Sequence, residues 1–103
     1  MELNDNEKKV LLIAFYLCKL VEFNILENSP YKITGKGFDM AYDVYKSGLK
    51  VDESEIVGIL ASLGVDDVMT LFQLTEIIVR IQDMGLDEFK ADLDEFLKNN
   101  PEE

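Results

Sequence analysis

The chain has no histidine, one cysteine and two prolines in 103 residues, and only ten basic side chains against 21 acids. Without histidine, the usual metal ligand and the usual general base near neutral pH are both missing, so neither a Ser-His-Asp nor a Cys-His constellation can be assembled. The lone cysteine, Cys18, allows no intramolecular disulfide and gives no sign of an oxidising compartment. Its place in an apolar run predicts a buried core thiol.

Long apolar stretches are also lacking. Val10 to Cys18 (VLLIAFYLC) is the run to test, and it falls well short of the roughly 20 residues needed to cross a bilayer. Glu2, Asp5 and Glu7 spoil a basic leader in front of it, Lys19 interrupts it, and no small-x-small cleavage site follows. The expectation is a cytoplasmic protein with no membrane contact. No internal repeat, low-complexity tract or Gly/Pro/Ser-rich linker divides the chain, so residues 1–103 read as a single helical domain.

What is present suffices for a core. Hydrophobic residues make up 48% of the chain, among them six Phe, four Tyr and four Met. The net charge of -11 is unevenly placed. Residues 1–50 carry seven acids and seven lysines, whereas residues 51–103 carry fourteen acids against Arg80, Lys90 and Lys98. All of the net charge therefore lies in the second half, which should repel nucleic acid and anionic membrane.

Helix punctuation recurs along the chain. Asn4 with Glu7 has capping-box spacing, and the helix it opens should run to about Phe23 or Leu26. Its centre is apolar nearly all round, which predicts a central helix or a homodimer through the first helix. Residues 27–30 read as a turn and Tyr31 to Ile33 as a very short extended piece, with Thr34 capping the next helix. Phe38, Ala41, Tyr42 and Tyr45 share one helical face, ended by Gly48. Asp52 with Glu55 opens a third helix with Ile56, Ile59, Leu60 and Leu63 inward, stopped at Gly64. Asp66 or Asp67 starts a fourth, with Val68, Leu71, Phe72, Ile77, Ile78 and Ile81 inward, which Gly85 closes. Asp87 starts a fifth, with Phe89, Leu93, Phe96 and Leu97 inward. The fold class is all-α: a compact bundle or orthogonal array of about five helices.

One fragment resembles the last part of winged-helix domains. A helix end, Leu20 to Ile25, is followed by Tyr31-Lys32-Ile33-Thr34-Gly35-Lys36-Gly37 and then a further helix, and the similarity covers about residues 18–45. It implies a nucleic-acid-binding regulator in which Lys32, Lys36, Lys46 and Lys50 touch phosphate. The Ile56 to Ile81 helix pair is a poor helix-turn-helix, because Asp66, Asp67 and Glu76 outnumber its one basic residue, Arg80.

Other chemistries lack their spacing. Gly35-Lys36-Gly37 is neither a phosphate loop nor a dinucleotide loop, and no acidic segment has the alternating oxygen ligands of a calcium loop. No carboxylate pair stands out for acid-base work, and no cofactor or metal site is expected. In the fifth helix, Glu88, Asp92 and Glu95 fall on one side of the apolar stripe and Asp87 and Asp94 on another. These five acids are the candidate protein-binding residues. The functional expectation is a non-enzymatic interaction module, regulatory or inhibitory, whose acidic half engages a basic protein partner, in its strongest form by imitating nucleic acid.

Overall fold

The computed structural model describes residues 3–27, 33 and 35–99, and in them the chain forms five α-helices. They are α1 (Asp5–Glu22), α2 (Gly35–Lys46), α3 (Glu53–Ser62), α4 (Val68–Met84) and α5 (Leu86–Asn99). No strand occurs among the described residues. The expected extended piece at Tyr31 to Ile33 falls mostly outside them, as does the Thr34 cap.

Helix starts follow the caps. The Glu7 N–H donates to Asn4 Oδ1 at 2.8 Å and the Asn4 N–H donates to Glu7 Oε1 at 2.9 Å, so each side-chain oxygen satisfies the other residue's otherwise orphaned backbone donor. At α4 the cap is Asp67, whose carboxylate accepts from the Thr70 N–H at 2.9 Å and the Thr70 hydroxyl at 2.7 Å. These bonds hold the Asp67 carboxyl below its ordinary range.

α1 ends at Glu22 with Phe23 as its C-cap, at the nearer of the two ends expected from sequence. Asn24 adopts φ 65, in the left-handed region that Asn tolerates better than most residues, and acts where glycine usually does. The Asn24 N–H then donates to the Val21 carbonyl and the Ile25 N–H to that of Leu20, at 3.0 and 2.8 Å. That pair of bonds is a Schellman motif, and it turns the chain out of the helix. At Gly64, with φ 106, the same motif closes α3 through Val65 to Leu60 and Gly64 to Ala61.

The core is built around α1. Leu12 to Leu17 are six consecutive buried residues, and Leu20 is buried with them. A helix can bury that many neighbours only when other helices surround it. Here α2 supplies Ala41 and Val44, α3 Ile56 and Leu60, α4 Leu74, Ile78 and Ile81, and α5 Leu86 and Phe89. Phe15 packs against Phe38 at 5.0 Å between ring centroids and Tyr45 at 5.7 Å, and Tyr16 meets Tyr45 edge-on at 6.0 Å. Edge and tilted approaches suit the aromatic quadrupole. Burial also raises the Tyr16 hydroxyl above its ordinary range, so it stays neutral. Leu12 to Leu17 are thus covered inside one chain, while Val10, Leu11 and Cys18 at the ends of the apolar run are half-buried.

Two polar ties lock the second half onto this core. Gln82 on α4 clamps Val51 in the α2–α3 connection: its Oε1 accepts the Val51 N–H at 2.8 Å and its Nε2 donates to the Val51 carbonyl at 3.0 Å. Gly85, at φ 89, separates α4 from α5 and has no side chain to cap the new helix. The Tyr45 hydroxyl on α2 does this instead, accepting the Leu86 N–H at 2.8 Å. On the other flank Lys9 Nζ meets Glu55 Oε2 at 2.7 Å, which raises the lysine and lowers the carboxyl relative to their ordinary values.

Several side chains depart from the sequence expectation. Cys18 is half-buried rather than in the core, and Tyr42 on α2 is 48% exposed. On α4, Val68 and Phe72 were expected inward but are 61% and 62% exposed. The core face of this helix is instead Leu74, Thr75, Ile78 and Ile81. At about 100° per residue, Phe72 lies a third of a turn and Met69 half a turn away from Ile78. On α5, Leu86 already begins the helix one residue before Asp87, and Phe96 and Leu97, also expected inward, are 60% and 49% exposed. Both continue the line of Leu86, Phe89 and Leu93, toward the end of the helix.

Candidate protein-binding surface

The α5 acids are placed by the same periodicity that buries Leu86 and Phe89. With those two residues turned to the core, Glu88, Asp92 and Glu95 fall on one outward line and Asp87 and Asp94 on a second. All five are exposed. The first half of α5 is anchored by Phe89, stacked on Phe23 of α1 at 6.3 Å, and by Lys90, whose Nζ lies 5.5 Å from the centre of the Phe23 ring.

The charges on this helix are not equivalent. Asp94 receives Lys90 Nζ at 2.6 Å across one turn, and Asp87 lies in the first turn, where the helix dipole favours an anion. Glu88, Asp92 and Glu95 have no cation within ion-pair distance among the described residues. Their like charges at helical spacing repel, offset locally by the dipole acting on Glu88 and by Lys98 one turn beyond Glu95. An exposed line of this kind creates a negative field reaching about 10 Å into solvent at 0.1 M salt.

A second surface, which sequence reasoning missed, runs along the outward side of α4. Val68, Met69 and Phe72 project there, with Met69 68% exposed. Further along the same side stand Gln73, Glu76, Arg80 and Asp83, lining a shallow groove of about 580 Å³. The sequence signal was weak because apolar residues occupy both sides of this part of α4, so the stripe could be drawn through either.

The lysines of the first half are dispersed. Lys36 sits in the first turn of α2 and Lys46 in the last, separated by about 15 Å of helix. Lys46 and Lys50 come together at a small cavity of about 290 Å³ beside Tyr16 and Tyr45, and Lys46 Nζ lies 5.3 Å from the Tyr42 ring centre. Lys32 lies outside the described residues. Gly35 to Gly37, read as the approach to a wing, form the first turn of α2.

Among the described residues, no three acidic or cysteine side chains converge to hold a metal ion, and no helix is long and apolar enough to cross a membrane. Compared with known proteins, the chain matches no family model, no curated protein and no solved structure.

Proposed function

We propose that this chain is a non-enzymatic helical interaction module, regulatory or inhibitory in kind and acting in the cytoplasm, whose acidic second half engages a basic protein partner. The observation that supports it is the exposed line of Glu88, Asp92 and Glu95, three carboxylates with no cation within ion-pair distance among the described residues. Such a line steers a positively charged surface toward it over long range, and a partner's Lys and Arg would relieve its self-repulsion. In its strongest form the ridge stands in for the phosphates of a nucleic acid within a basic cleft. A homodimer through α1, the expected assembly, would have to use half-buried residues such as Val10 and Leu11, because Leu12 to Leu17 are covered within the chain.

Capture of partners from a host extract on the immobilised full chain, at low salt and again at about 0.5 M where screening is nearly complete, tests this reading. A basic protein retained only at low salt is expected; absence of any salt-sensitive partner overturns it.

The second reading is a nucleic-acid regulator using Lys32, Lys36, Lys46 and Lys50. Support for it is the meeting of Lys46 and Lys50 at one cavity. Gel shifts on random duplex at low salt decide: no retardation rejects it.

A further inference from the structure

We propose that the outward stripe of α4 is the docking site for a cationic amphipathic helix of the partner protein, with Val68, Met69 and Phe72 receiving its apolar face. The inference rests on the reading that a basic protein is the partner, and it names where the contact closes. Three large apolar side chains, each more than 60% exposed, lie within one arc of about 100° at the start of α4. A contiguous apolar cluster on a helix is the receiving half of helix-on-helix recognition, and methionine lets such a surface adapt to its guest.

Charge decides the occupant. Asp66 and Asp67 stand at one end of the cluster, Glu76 and Asp83 follow it on the same side, and the single nearby cation among the described residues is Arg80. The Asp67 carboxyl is held charged by its bonds to Thr70. A second copy would bring the same acids face to face across a twofold axis. An anionic lipid surface would be repelled likewise. An apolar helix face flanked by Lys and Arg satisfies both the cluster and its rim.

The test uses a synthetic peptide of leucine and lysine, about five helical turns long, spaced to segregate the two residue types. A scrambled peptide of the same composition is the control. Fluorescence anisotropy with the full chain should show the amphipathic peptide bound about tenfold more tightly than the scramble. That preference should vanish in Met69→Ser/Phe72→Ser, which alters exposed positions only. Glu76→Lys/Asp83→Lys should also weaken the amphipathic peptide about tenfold, which keeps the test independent of the first variant's folding.

Equal binding of both peptides, unchanged by either α4 variant and abolished by salt, overturns the docking site while leaving the acidic-surface reading intact. No binding of either peptide at low salt overturns both. A dimer of the wild-type chain in sedimentation that Met69→Ser/Phe72→Ser converts to monomer overturns the assignment in favour of a second copy.

Discussion

The first and last helices carry similar kinds of residue and play opposite parts. In α1, six consecutive side chains are buried in a core to which the other helices contribute; in α5, among the described side chains, Leu86 and Phe89 are buried, Lys90 and Leu93 half-buried and the others exposed. Hydrophobic content separates the two in part, with eleven apolar residues of 18 in α1 and six of 14 in α5. The rest of the difference lies in what surrounds the apolar face and in where the acids fall. Acids in α1 are confined to its ends, where Asp5 and Glu7 favour the dipole, whereas those of α5 recur through its whole length. The comparison teaches that α1 supplies the centre of the scaffold, while the later helices both cover it and carry the exposed acids.

The largest effect expected from this contrast is in the core. Phe15→Ala should cost about 3–5 kcal/mol in chemical denaturation, because it removes the ring around which Tyr16, Phe38 and Tyr45 pack. Phe72→Ala, on the exposed side of α4, should stay within about 0.5 kcal/mol. Similar losses at both sites would break the distinction between scaffold and surface.

Next in size is the clamp from α4 onto the α2–α3 connection. Gln82→Ala leaves both polar backbone groups of Val51 without their partner, and Val51 is buried, so a loss of about 1–3 kcal/mol is expected. Smaller again are the caps: Asn4→Ala and Asp67→Ala should each cost about 1 kcal/mol. Equal losses would show that α1 and α4 melt as one cooperative unit, and a loss at Asn4 alone would show that they do not.

Acid should act through the lowered carboxyls. Glu55 and Asp67 titrate below their ordinary values of 4.5 and 3.8 in the folded chain, through Lys9 and Thr70 respectively. Their contribution is therefore complete above those ordinary values and is lost as pH falls through the lowered ones. Denaturation midpoints should hold steady near neutral pH and fall below about pH 4. The smallest effect is on α5. Asp92→Asn/Glu95→Gln should raise stability by a few tenths of a kcal/mol at low salt, and the gain should fade as salt screens the repulsion.

Much of the fold was legible from local chemistry. Asn4, Asp52 and the Asp66–Asp67 pair mark helix starts, and Gly48, Gly64 and Gly85 mark ends, because capping and left-handed turns depend on residues close in sequence. The end of α1 left two positions open in sequence, about Phe23 or Leu26, because the residue that stops it is Asn24, in the place usually given to glycine. On α4, Leu71, Ile77, Ile78 and Ile81 pack inward as expected, and the outward turn of Val68 and Phe72 has a different reason. Val68 and Phe72 have the spacing of a buried stripe, and period alone cannot say which of two apolar sides the rest of the chain will cover. The ties from Gln82 to Val51 and from Tyr45 to Leu86 span 31 and 41 residues and leave no local trace. For the candidate surface, the arrangement of Glu88, Asp92 and Glu95 followed from helical spacing, while the α4 stripe needed the structure.

The division of labour between the halves is tested most directly by capturing partners from a host extract with two variants of the full chain beside the wild type. One replaces Glu88, Asp92 and Glu95 with their amides, and the other replaces Lys36, Lys46 and Lys50 with alanine. The first variant is predicted to lose the salt-sensitive basic partner while the lysine variant keeps it; retention by the first and loss by the second would contradict the account.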